Sequence, residues 1–136
     1  MKDLEISIKL LINKKMKYNP QLKADILEYQ NYVIIVEGKK DIESLNALGF
    51  QRVYAINEPG VPIKIRLENL SKIIKRKENV CILTDFDKKG KELYFLIKRI
   101  CQQLGMKTDS SLRGILLKAK TSHVEGLYRF MRNQED

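Results

Sequence analysis

Cysteine and histidine are scarce in this 136-residue chain, which has two of the first and one of the second. Cys81 falls inside an apolar run and Cys101 on the apolar side of a helical stripe, so both read as small buried hydrophobes. Their spacing is not that of a zinc site, and a disulfide framework needs more thiols. Such cysteine usage fits a reducing, intracellular compartment, so the expected location is the cytoplasm. His123, the lone histidine, stands at the start of the last helical segment with no evident partner for general-base work. No stretch approaches the roughly 18 apolar residues of a membrane span. Asp3 and Glu5 interrupt what a signal peptide keeps apolar. Internal repeats, low-complexity segments and linkers are missing too.

Acidic residues are in deficit. Asp and Glu number 17 against 26 Lys and Arg, which leaves a net charge of +9. That excess favours a polyanionic partner such as nucleic acid. The balance of 32% charged and 43% apolar residues is that of a globular protein. The length suits one domain and lets it bury about two thirds of its unfolded surface.

The apolar pattern gives the elements. Leu4, Ile8, Leu11 and Ile12 have helical spacing and lead into the basic run Lys14 to Lys17. Asn19-Pro20 reads as a helix start, with Leu22, Ile26 and Tyr29 on one face. Tyr32 to Val36, Arg52 to Ile56 and Val80 to Thr84 are strand-length runs rich in β-branched residues. Helices are predicted from Asp41 to Leu48, closed by Gly49, and along Ile63, Leu67, Leu70 and Ile74, with Lys72, Lys75, Arg76 and Lys77 exposed. Asn57-Glu58-Pro59-Gly60 has turn chemistry. The stripe from Leu93 to Leu104 predicts another helix, closed by Gly105. Met106 to Thr108 reads as a short edge strand, and Leu112, Ile115 and Leu116 as a further helix. Ser122 to Glu125 forms a capping box before a last helix through Val124, Leu127, Tyr128 and Met131. Tyr54 and Tyr128 read as core residues. Alternation of strands and helices predicts an α/β fold with a parallel sheet covered on both faces.

Two of the strands end in acids. The first reads Val33-Ile34-Ile35-Val36-Glu37-Gly38-Lys39-Lys40-Asp41, the other Val80-Cys81-Ile82-Leu83-Thr84-Asp85-Phe86-Asp87-Lys88-Lys89-Gly90. In a parallel sheet both strand ends lie on the edge where such folds bind ligands. Three carboxylates meeting there repel one another without a cation, which points to Mg²⁺. If the backbone stays extended past the strand, Asp85 and Asp87 fall on one side, roughly 6.6 Å apart along the chain. Phe86 then turns the other way, into packing. A bare D-x-D fits a helix cap as well as a ligand pair, with Asp87 as the cap. Glu37 is a metal ligand, a general acid/base or a solvated strand-end acid. Lys88, Lys89 and Lys91, with Lys39 and Lys40 after the first strand, are candidate phosphate contacts.

E-G-x-x-D from Glu37 to Asp41 and T-D-x-D-x-x-G from Thr84 to Gly90 resemble the motifs of the Toprim domain. That domain is shared by type IA and type II topoisomerases, bacterial-type primases, overcoming-lysogenization-type nucleases and the nuclease that matures small ribosomal RNA. The likeness covers about residues 31 to 105. The flanks, including Ser122 to Leu127, resemble small stand-alone Toprim proteins of archaea. The resemblance implies a Rossmann-like sheet of about four parallel strands between helices. It implies a single domain over 1–136, with helical flanks at 1–30 and 106–136. It also implies that Glu37, Asp85 and Asp87 bind Mg²⁺, for which Mn²⁺ substitutes. Glu37 is then the general acid/base of phosphoryl transfer or phosphodiester cleavage, and Asp41 a supporting or capping acid. Gly38 and Gly90 are the motif turns.

No domain surrounds any of the six tyrosines to make one a topoisomerase nucleophile, and a primase's zinc-binding and accessory regions are missing. A nuclease, or a metal-dependent binding module of a larger RNA or DNA processing complex with protein partners, remains. A third class is the receiver or haloacid-type phosphatase, which also places an aspartate at a strand end. Lys88-Lys89 departs from the phosphatase signature, and Glu37 alone stands where a receiver has a pair of acids.

Overall fold

A computed structural model of the chain describes residues 20–118. The predicted helix through Leu4 to Ile12, the basic run Lys14 to Lys17, the capping box Ser122 to Glu125, His123 and Tyr128 lie outside the described residues. In chain order the elements are α1 (Pro20–Leu27), β1 (Val33–Val36), α2 (Lys39–Ala47), β2 (Val53–Ala55), α3 (Ile63–Ile73), β3 (Asn79–Leu83), α4 (Lys88–Gln103) and β4 (Lys107–Thr108). A last helix, α5, covers 111–118.

The four strands form one all-parallel sheet in the order β2-β1-β3-β4. Every residue of β1 is buried, as a central parallel strand requires, and the run Val-Ile-Ile-Val supplies apolar side chains to both faces. Ile34, Val36, Val53, Ala55, Cys81 and Leu83 face a layer that includes Ile26 of α1, Leu45 of α2 and Leu112 and Leu116 of α5. Val33, Ile35, Val80 and Ile82 face Leu67 and Leu70 of α3 and Ile97 and Cys101 of α4. The result is a three-layer α/β sandwich. The half-buried Tyr54 packs against the second cluster.

The connection from β1 to β2 runs through α2 on the first face. Those from β2 to β3 and from β3 to β4 move the opposite way, through α3 and α4 on the second face. All three crossovers therefore share one hand. The chain leaves β1 toward one side of the sheet and β3 toward the other. The crevice between their C-terminal ends is the switch point where such sheets hold ligands. Val36 pairs with Leu83, so Glu37 and Thr84 leave the sheet at the same level.

The strands differ from the predicted runs by a residue at one or both ends, and three differences in the helices bear on where the charges lie. Helix α2 begins at Lys39 and not at Asp41, because Asp41 sits in its first turn and its carboxylate accepts the N–H of Gly38 at 3.2 Å. Helix α4 begins at Lys88, directly after its cap Asp87. Helix α3 ends at Ile73, so Lys75, Arg76 and Lys77 lie in the connection leading into the start of β3. That is the opposite edge of the sheet from the acids. Gly49 and Gly105 follow α2 and α4 with φ of 94° and 79°, the left-handed conformation that ends a helix cheaply only at glycine.

Candidate functional site

Glu37 is the first residue after β1 and Asp85 the second after β3. Both are buried, at 8% and 6% exposure, although each carries a carboxylate. They are brought together: Glu37 Oε2 accepts the backbone N–H of Asp85 at 2.7 Å. A charge-assisted bond of this kind is among the stronger hydrogen bonds a protein makes. The Glu37 carbonyl accepts the N–H of Asn57, which ties the same residue to the loop after β2.

The backbone does not remain extended after Asp85. It bends at Phe86 and Asp87 and enters α4 at Lys88. Asp87 is exposed and caps that helix, its Oδ1 accepting the N–H of Gly90 at 2.7 Å. The reason is the set of unbonded N–H groups in a helix's first turn, which an aspartate at this position satisfies. Phe86 turns into the core, at 7% exposure. The buried Thr84 links the strand end to the helix, donating from Oγ1 to the Gly90 carbonyl at 2.6 Å. Among the described residues, no three His, Cys, Asp or Glu side chains stand close enough together to hold a metal ion. The edge offers the buried pair Glu37 and Asp85, with Asp87 on the exposed rim as a cap. Hard carboxylate oxygens in that number fit Mg²⁺, which takes one or two carboxylates and completes its shell with water and substrate phosphate.

The lysines flank this pair. Lys39 and Lys40 open α2, Lys88, Lys89 and Lys91 open α4, and all five are exposed. Cations in a first turn oppose the helix macrodipole. In α4 the first turn itself holds no acid, and the capping carboxylate of Asp87 stands against three cations. The charge placement is unfavourable for the helix alone and favourable for an anion lying across both helix starts. Beside Gly38 and Lys39 an open cleft of about 470 Å³ extends to the loop containing Asn57 and Pro59. A Cβ built at Gly38 would meet nothing within 4 Å, so that face of the turn is open to approach.

Arg113 is a functional candidate that the sequence motifs do not reveal. It lies on α5 at 8% exposure and reaches the end of β3 from beneath. Its NH1 donates to the Thr84 carbonyl at 2.5 Å and its NH2 to the Asp85 carbonyl at 3.0 Å. The guanidinium rests against the rings of Phe86 and Tyr94, 5.0 and 4.7 Å from their centroids, within cation–π range. Burial pushes its pKa below the ordinary arginine value, while Tyr94, Glu37 and Asp85 pull it back up. The group remains a cation at neutral pH. One sequence signal was available: Arg113 stands next to Leu112 and three residues before Leu116, on the buried stripe of its helix.

The thiols take no part. Cys81 and Cys101 are fully buried, and burial pushes both up to about 12. No helix among the described residues is long and apolar enough to cross a membrane.

Comparison with known proteins agrees with this geometry. The Toprim domain family matches residues 32–116, a span that holds the four strands and reaches into α5. The chain is 31% identical to a UPF0292 protein of the archaeon Methanosarcina barkeri, over 96% of this chain and 89% of the relative. It is also 31% identical to a UPF0292 protein of Methanocaldococcus jannaschii, over 79% and 84% respectively. A solved structure of a protein from Aquifex aeolicus superposes with a TM-score of 0.60, over 75% of this chain and 91% of that one, at 21% identity. At that identity the likeness concerns the fold alone.

Proposed function

This chain belongs to the Toprim domain family, and on that premise we propose that it is a Mg²⁺-dependent protein that cleaves phosphodiester bonds in nucleic acid. The observation that carries the reading is the burial of Glu37 and Asp85 together at the switch-point edge, between two helix starts that present five exposed lysines. Buried carboxylates are tolerated beside cations: Arg113 supplies one from α5, and a metal ion at the open edge would supply another. A lysine-rich rim opposed to the helix dipoles is tolerated where an anion covers it.

In this reading Glu37 and Asp85 hold the metal, and Asp87 joins them on the exposed rim. Mg²⁺ there would neutralise charge on a phosphate's oxygens. Glu37 moves the proton of the attacking or leaving oxygen as general acid/base. Lys39, Lys40, Lys88, Lys89 and Lys91 grip the phosphates on either side and orient the strand without reading its bases. Asp41 keeps Gly38 in place beside Glu37. Gly90 lets the Asp85 segment lie close under α4. The cytoplasm and a nucleic-acid processing complex with protein partners are the setting that this reading expects.

One observation favours a second reading. Among the described residues no third acidic side chain closes on the pair, and Asp87 is engaged as a helix cap. That suits a binding module of a processing complex that uses metal without turnover of its own. The test is incubation of the purified protein with labelled RNA and DNA panels in Mg²⁺ or Mn²⁺. Cleavage by the wild type that disappears in Glu37→Gln, with binding retained, supports the nuclease. Binding without cleavage of any substrate supports the module. Cleavage that persists in Glu37→Gln contradicts the role given to Glu37.

A further inference from the structure

The Thr84–Asp85 peptide group is held at both ends by charged side chains. Its oxygen, on Thr84, accepts from the Arg113 guanidinium at 2.5 Å. Its N–H, on Asp85, donates to the Glu37 carboxylate at 2.7 Å. A cation at the oxygen and an anion at the hydrogen both enlarge the dipole of the peptide between them. Each hydrogen bond then strengthens the other, as in any chain of bonds in a low-dielectric interior. Glu37, Thr84, Asp85 and Arg113 are all at least nine-tenths buried, so water screens the chain little.

The geometry points to Arg113 as a positioning residue that sets the Glu37 carboxylate through this peptide. The guanidinium does not need to touch the carboxylate to do so. Its second bond, to the Asp85 carbonyl at 3.0 Å, fixes the next peptide as well, so the segment carrying the Asp85 side chain has two anchors. The rings of Phe86 and Tyr94 lie against the fork, their centroids 5.0 and 4.7 Å from it, and limit where it can move. A planar guanidinium spans two consecutive carbonyls, whereas an ammonium meets one of them as a point charge. Helix α5 thereby becomes part of the acidic edge through Arg113. This role of Arg113 rests on the proposed function only for what the positioned carboxylate is used for.

The test is nuclear magnetic resonance on the full chain, read at the Asp85 amide and at the side-chain carboxyl carbon of Glu37, which Arg113→Met should also shift. In the wild type the amide proton should resonate downfield and exchange slowly, since it is bonded to a carboxylate. Arg113→Met should move it upfield and speed its exchange about tenfold, the equivalent of one charge-assisted bond weakened. Arg113→Lys should restore much of the shift, because the cation returns. Glu37→Gln should move the same proton in the same direction. A purely structural Arg113 would lower the melting temperature in Arg113→Met, shift the Asp85 amide through its own lost carbonyl bond, and leave the Glu37 carboxyl carbon where it was in the folded protein, and that result overturns the inference. Where Arg113→Met fails to fold, Arg113→Gln, which keeps a neutral donor, decides in the same way. Broadening of the Gly38 and Asp85 amides by added Mn²⁺ tests the metal reading separately. An amide that follows the charge at position 113 without any Mn²⁺ broadening upholds the positioning and removes the metal.

Discussion

Gly90 lies so near Asp85 that a Cβ on it would stand 2.0 Å from the Asp85 carbonyl oxygen and 2.5 Å from its carbonyl carbon. The glycine of the D-x-D-x-x-G motif is therefore a steric requirement. It lets the first turn of α4 lie against the backbone that carries the buried acid, and Thr84 Oγ1 locks the two together through the Gly90 carbonyl.

Replacing Gly90 with alanine separates two effects of opposite sign. Helix propensity alone makes alanine the more stable residue by about 0.5–1 kcal/mol. The clash with the Asp85 backbone should win, since overpacking of a rigid contact costs roughly 1–3 kcal/mol. Denaturant unfolding should show Gly90→Ala less stable than the wild type. Equal or greater stability would mean that Asp85 is not pressed against the helix.

The lysines should show the reverse pattern. Lys88→Ala, Lys89→Ala and Lys91→Ala combined should leave thermal stability unchanged or raised, because three cations leave a helix start. The same variant should bind single-stranded nucleic acid more weakly. The slope of log affinity against log salt should become shallower by about 2, at roughly 0.7 for each phosphate that the protein no longer neutralises. An unchanged slope would move the nucleic-acid grip away from α4. The run Lys72 to Lys77 serves as the internal comparison, because its substitution at the far edge should leave metal-dependent processing intact.

Much of the fold is legible in the sequence. The run Val33 to Val36 is β-branched and apolar because both faces of a central parallel strand are covered, and the stripe on α4 follows from one face packing on the sheet. The juxtaposition of Glu37 with Asp85 needed only the parallel order of β1 and β3. Other parts were not legible. Whether Asp87 caps or ligates depends on where β3 ends and the next helix begins, and apolar periodicity fixes neither boundary to the residue. Arg113 was invisible as a site residue because its partners are backbone carbonyls 28 and 29 residues away, and backbone acceptors carry no residue signature. The basic run after Ser71 could be placed, since a helix joining two parallel strands ends beside the start of the next one, at the edge away from the acids.

The cysteines give a pH prediction with a definite sign. Burial raises the Cys81 thiol, helped by Asp109, and the Cys101 thiol to about 12. The thiols of the unfolded chain titrate at about 8.5. The folded state thus holds these protons more tightly, so the contribution is complete below about pH 8.5 and is lost as pH rises from there toward 12. Stability should fall across that window. Native protein near neutral pH should resist alkylation, and both thiols should react once denaturant is added. Rapid labelling of the native protein would contradict their burial.

The metal site is decided by calorimetric titration of the full chain with Mn²⁺, as wild type and with Glu37→Gln and Asp85→Asn combined. The wild type should bind saturably. The double variant, with each change removing a charged oxygen ligand, should bind at least about tenfold more weakly while remaining folded. Equal affinity in the two proteins would show that the buried pair at the switch-point edge is not where a metal binds.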